Sequence, residues 1–300
     1  MRELTLDTPD TLTQITVTNY GDTRTGKSVF AATFPRPLII GDTIERGWKS
    51  VLTMPDAMRF EPDVEPIVWG VEAMNDLSKM YGQMDALIAS GRISSISFDA
   101  FSFYCDFFLS NIVRLQTKPD QRGAFGDLGR HLREVYTQLQ QRRVNVIWNC
   151  LAKHPDIDDK GVLVAKGRPM IPGQQADKFS AGVDFLFYSR VETINKVDHY
   201  RIHTRNYGNY LAGHREGINA DRLPDPFTGS YSDLITHLGY DADAIRAALP
   251  KLNGSAKPLN GGKPAVVAPV AKPAVATAPI VRPAAPPVII RSQAPRGASK

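Results

Sequence analysis

Eight consecutive residues restrict this chain more than any other feature: Gly21-Asp22-Thr23-Arg24-Thr25-Gly26-Lys27-Ser28, which satisfies G-x-x-x-x-G-K-[ST] at every fixed position. Glycines at both ends let a loop backbone close around phosphate oxygens, with successive N–H groups and the start of the next helix pointing inward. Such a loop needs a strand before it and a helix after it. Residues 14–19 (QITVTN) alternate and are β-branched, which predicts the strand; residues 28–34 predict a short helix stopped by Pro35 and Pro37. In that setting Lys27 is placed to neutralise β- and γ-phosphates, and Ser28 to offer its hydroxyl to Mg²⁺. The octapeptide is expected to hold ATP or a close relative.

The rest of the body repeats the strand-and-helix theme. Residues 37–41 (PLIIG) and 66–69 (PIVW) are short apolar runs bounded by turn residues, as buried parallel strands are. Met74, Leu77, Tyr81, Met84, Leu87 and Ile88 form one helical stripe, and Phe125, Leu128, Leu132, Val135, Tyr136 and Leu139 form another. Strands are predicted over 93–98 (ISSISF), ending in Asp99, and over 144–148 (VNVIW), ending in Asn149. Residues 184–188, 190–194 and 199–204 read as three further strands joined by short turns, antiparallel additions at a sheet edge. The expected fold is one α/β domain over residues 1–250. Its sheet would be mostly parallel, with helices on both faces and antiparallel strands at the C-terminal edge.

Charge separates this body from the last fifty residues. The chain carries +5 overall, yet residues 251–300 hold eight bases, nine prolines and no acid, leaving 28 of 36 bases against 31 acids in the body. That segment is expected to be an extended, disordered basic arm, with a solubilising linker or a protein-docking tail through Val288-Ile289-Ile290 as the other readings. Cys105 and Cys150 sit among apolar residues and read as buried thiols, consistent with a reducing cytoplasm. No apolar run reaches the length that spans a bilayer, so no membrane role is expected.

Three further groups carry chemistry. Asp99 ends an apolar strand, expected beside the strand of the phosphate loop, where its carboxylate could hold Mg²⁺ or cap the next helix. Asn149, at the end of another strand, is placed to contact a γ-phosphate or to serve as a buried turn amide. Lys153, His154, Lys160, Lys166 and Arg168 fall in a Gly/Asp/Pro-rich stretch that could meet nucleic-acid phosphates, although Asp156, Asp158 and Asp159 interrupt it as they would an ordinary solvated loop.

Asp99 after ISSISF, the helix of residues 125–141, VNVIWN, the loop to GRPMIPG and the later YRIHTRN together resemble phage RecA-like ATPases. The likeness, over about residues 14–215, is to the Sak-type group of single-strand annealing and recombination ATPases, phage nucleotide-binding proteins of AAA type. It implies a RecA-like core, ATP and Mg²⁺ as cofactors, single-stranded DNA as partner, and a homo-oligomer with the nucleotide near a subunit boundary. It also makes a phage or host single-strand-binding protein a candidate partner, in the host cytoplasm. By the same resemblance Glu45 would orient the attacking water, although Asp42 and Glu45 are spaced one residue wider than the family's acidic pair. Ala100 stands where relatives commonly carry a hydroxyl. Arg201 and Arg205 are candidates for reaching a neighbouring subunit's γ-phosphate. A helicase- or packaging-type motor, a small-molecule P-loop kinase and a nucleotide-gated binder without significant hydrolysis are the competing classes.

Overall fold

Strand β1 (Thr16–Gly21) is buried along its whole length, which places it in the interior of the sheet. The computed structural model describes residues 14–41, 46–115, 121–173, 175–215 and 222–249. It sets β1 between β5 (Asn145–Lys153) and β9 (Phe185–Ile194), parallel to both. Beyond β5 come β4 (Ser95–Asp99), β2 (Pro37–Gly41) and β3 (Ile67–Gly70), each parallel to its neighbour. On the other side β10 (Val197–His203) lies antiparallel to β9, and β11 (Gly213–His214) also pairs antiparallel with it. The order β10-β9-β1-β5-β4-β2-β3 makes the mostly parallel sheet expected, with β10 and β11 as antiparallel additions on its C-terminal side.

Alternation along each strand sends side chains to two separate cores. Val146 and Trp148 face one side, where α3 (Leu77–Ala89), α4 (Phe101–Leu115), α5 (Gln121–Gln140) and α6 (Gln175–Gly182) pack. Trp148 lies between Phe98, stacked at 4.5 Å, and Phe179, edge-on at 5.3 Å. Ile147 faces the other side, with Phe30 and Phe34 at α1 (Lys27–Ala32) and Leu234 and Ile235 of α7 (Tyr231–His237). Two short helices, α2 (Trp48–Leu52) and α8 (Ala242–Ala248), complete the layers. The buried guanidinium of Arg36 meets Glu61 at 2.8 Å and the carbonyl of Gly91 at 2.5 Å, tying the entry of β2 to the connections around it.

Three expectations need correction. The segments expected at 184–188 and 190–194 form one strand, β9, from Phe185 to Ile194, and its first half pairs in parallel with β1 rather than adding to an edge. Ser189 between them is buried and continues the ladder, so nothing breaks the chain there; the hairpin turn falls at Asn195 and Lys196, both with positive φ. Secondly, Asp99 does not end a strand beside β1, because β5 lies between them. Thirdly, β5 does not stop at Asn149 but runs on to Lys153. From there the chain forms a small hairpin, β6 (Asp156–Ile157) with β7 (Leu163–Ala165), and β8 (Arg168–Pro169) returns to the end of β5. Cys105 and Cys150 are free and buried, as expected. Among the described residues no helix is long and apolar enough to cross a membrane. Residues 251–300 and the acids Asp42 and Glu45 lie outside the described residues.

Candidate functional site

The loop after β1 turns tightly because two of its residues take positive φ: Arg24 at 63° and Gly26 at 83°. Gly26 stands at the N-terminus of α1 in this left-handed conformation, which glycine adopts without steric cost. Thr25 braces the turn by donating from its hydroxyl to the Asp22 carbonyl at 2.9 Å. Lys27, only 7% exposed, folds back over the loop, where its ammonium donates to the carbonyls of Gly21 at 3.1 Å and Asp22 at 2.5 Å. Asp22 itself is exposed, with a carboxylate oxygen 3.4 Å from His154 Nε2; the other ring nitrogen of His154 meets the Tyr210 hydroxyl at 2.8 Å. The octapeptide is thus linked to the first residue beyond β5.

Across the sheet, parallel register sets Asp99 opposite Asn149. The Asn149 amide nitrogen donates to Asp99 Oδ1 at 3.1 Å, which ties its side chain to the carboxylate. Asp99 Oδ2 is buried and has no hydrogen-bond partner among the described residues. Burial raises the pKa of this carboxyl, opposed by the nearby Ser28 hydroxyl, the Asn149 amide and the Lys27 charge. A methyl group added to Gly47 would stand 2.7 Å from Asp99 Oδ2 and 3.0 Å from Ser28 Oγ. Those two oxygens therefore share one small space, and it is kept open by the absence of a side chain at Gly47.

An unpartnered buried carboxylate oxygen beside a hydroxyl suits a hard divalent cation, whose remaining positions go to water and phosphate oxygens. Among the described residues no cluster of three or more His, Cys, Asp or Glu could hold a metal by itself, so Ser28 and Asp99 fit Mg²⁺ only together with a phosphate ligand. A groove of about 1310 Å³ opens from this corner over the solvent face of α1. Its walls include Arg46, Arg59, Tyr200, Ser230 and Arg246, none of which the sequence had singled out. Ser230 had a readable signal: Ser230 and Asp233 make a reciprocal capping box at the start of α7.

The remaining candidates lie apart from this corner. Lys153 at the end of β5, Lys160 in the turn of the β6–β7 hairpin and Lys166 just after β7 are exposed. Arg168 differs, since it forms an ion pair with Asp177 of α6 at 2.8 Å. Asp158 is also occupied locally, accepting from the backbone N–H groups of Lys160 at 2.9 Å and Val162 at 2.8 Å to build the turn. Arg201 Nε lies 3.5 Å from Glu192 of its own chain, whereas Arg205 is exposed just after β10.

Comparison with curated proteins returns no match. Among solved structures the chain is similar to a KaiC-like protein from the hyperthermophilic archaeon Pyrococcus horikoshii, at 15% identity and a TM-score of 0.37 over 67% of this chain and 82% of that one. At the level of sequence families, the AAA domain model matches residues 13–216, a span that opens just before β1 and closes just after β11, and the chain belongs to the AAA domain family.

Proposed function

We propose that this chain is a Mg²⁺-dependent ATPase that engages single-stranded DNA in recombination or strand annealing of the kind phages carry out. The observation that carries the nucleotide half is the corner where Ser28 Oγ and the unpartnered Asp99 Oδ2 converge at Gly47, next to a complete phosphate loop. Lys27 neutralises the terminal phosphates, while the N–H groups at the start of α1 receive their oxygens. Ser28 and Asp99 would hold the metal, and Asn149 fixes the rotation of the Asp99 carboxylate through Oδ1. Magnesium, when bound, supplies charge that offsets what develops on the transferring phosphoryl oxygens. Glu45 remains the acid assigned to orient water.

The DNA half rests on the exposed Lys153, Lys160 and Lys166, which offer charge to a backbone without reading bases. Joined to the phosphate loop through His154 and Asp22, this hairpin is positioned to respond to the nucleotide. In a homo-oligomer Arg201 and Arg205 are the residues assigned to a neighbouring site. The decisive experiment measures ATP turnover with and without Mg²⁺ and with and without single-stranded DNA. Turnover that requires Mg²⁺ and rises with DNA supports the whole reading. Turnover indifferent to DNA removes the recombination half, and failure to bind ATP removes both.

A further inference from the structure

The metal corner fixes which way a nucleotide must lie. In the order β10-β9-β1-β5-β4, Asp99 ends a strand two places from β1 on one side, and Tyr200 lies on a strand two places away on the other. A triphosphate held by the loop with its metal-bearing phosphates toward Asp99 sends its nucleoside toward β10. Tyr200 waits there in an unusual state. It is 54% exposed, its ring stacks on no other ring and its hydroxyl makes no hydrogen bond among the described residues. The ring leans on the phosphate loop itself, since a methyl group at Gly26 would stand 3.1 Å from its Cδ1.

The surroundings of Tyr200 suit a flat, partly polar ring. Alternation puts Tyr200 and Ile202 on the same face of β10, where both border the groove with Phe30 below. Ile202 exchanges backbone hydrogen bonds with Phe227 at 2.8 and 2.7 Å, which brings Thr228 and Gly229, outside any strand, onto the groove wall. An aromatic face beside backbone donors and acceptors that have no partner among the described residues offers stacking to a base and hydrogen bonds to its edge.

We propose that Tyr200 and the Thr228–Gly229 backbone form the subsite for the base of a purine nucleoside triphosphate, with Tyr200 as the stacking residue. This rests on the nucleotide reading and adds to it the recognition of the nucleoside. A larger π-face gains more from the stack, which favours purine over pyrimidine. The test compares Mg²⁺-ATP and Mg²⁺-tripolyphosphate binding by calorimetry in the full chain, in Tyr200→Ala and in Tyr200→Phe. Tyr200→Ala should weaken ATP about fivefold to hundredfold and leave tripolyphosphate within about twofold, and Tyr200→Phe should retain parental ATP affinity. Parallel losses of ATP and tripolyphosphate would show that Tyr200 merely props Gly26, and undiminished ATP binding in the alanine variant would equally overturn the subsite. A parent that binds tripolyphosphate but loses nothing at Tyr200 refutes this inference alone; a parent that binds neither ligand refutes the phosphate-loop reading beneath it.

Discussion

The phosphate loop and the β6–β7 hairpin both present lysines from the same end of the sheet, yet they are built differently. Lys27 is buried and its ammonium is aimed by two backbone carbonyls, with Ser28, Asp99 and Asn149 packed around the same corner. Lys160 is exposed on a two-stranded ladder whose turn is held by Asp158 alone. A group that must meet one particular oxygen is over-determined by its neighbours, because a small misplacement there is costly. Charge that only has to accompany a flexible polyanion needs no such support. The two regions should therefore answer differently to substitution, sharply in the corner and gradually in the hairpin.

The largest effect is expected at Lys27. Lys27→Ala should lower ATP turnover at least about a hundredfold, the scale of losing charge-assisted hydrogen bonds, while the unfolding midpoint stays near the parent's. Near-parental turnover would erase the contrast between the two regions. Asp99→Asn should be comparably damaging to Mg²⁺-dependent turnover, yet melt at or above the parent's temperature in metal-free buffer, since it removes a buried carboxylate. A lower midpoint would mean that the charge supports the fold instead. Gly47→Ala places a methyl group 2.7 Å from Asp99 Oδ2, and about tenfold more Mg²⁺ should be needed for half-maximal turnover. An unchanged Mg²⁺ requirement would move the metal away from this corner.

The hairpin should yield by degrees. Replacing Lys153, Lys160 and Lys166 with alanine is expected to weaken single-stranded DNA binding about tenfold at low salt and to flatten its logarithmic salt slope by about 2, with basal ATP turnover intact. Adding Arg168→Ala sharpens the test, because its partly exposed ion pair with Asp177 contributes little stability; DNA affinity should fall further while the unfolding midpoint stays near the parent's. The smallest effect concerns His131 on α5, whose ring stacks on Phe108 at 3.7 Å and meets the Tyr104 hydroxyl. Burial lowers its pKa to about 4, against about 6.5 for a free imidazole. Stability from the neutral ring is complete above about pH 6.5 and is lost as the pH falls toward 4, where the unfolded chain binds the proton first. Melting curves of His131→Gln across that window should fall less steeply than the parent's.

Much of this was legible from local pattern. Strand β2 has the bounds expected from PLIIG, because a run closed by proline and glycine declares both its ends. The octapeptide and Asp99 were visible because their residue types are rare in that order at strand ends. The hidden part depends on partners distant in sequence. Nothing in residues 184–194 reveals that they pair in parallel with β1, since strand direction comes from the crossover through α6. Asn149 reads alike whether it faces a phosphate or a carboxylate, and only the register of β4 with β5 decides for Asp99. Gly47 carries no motif at all; its meaning is the emptiness it leaves beside two oxygens.

The unbroken length of β5 has a mechanical consequence. From Asn149 to Lys153 the strand extends about 13 Å at 3.3 Å per residue, without a hinge, before the hairpin begins. It is flanked by β1 and β4 at one end and clasped by β8 at the other. A stiff beam cannot absorb a tilt where the tilt arises. Any tilt of Asn149 imposed by events at Asp99 would be carried along the strand to Lys153, where the chain leaves the sheet.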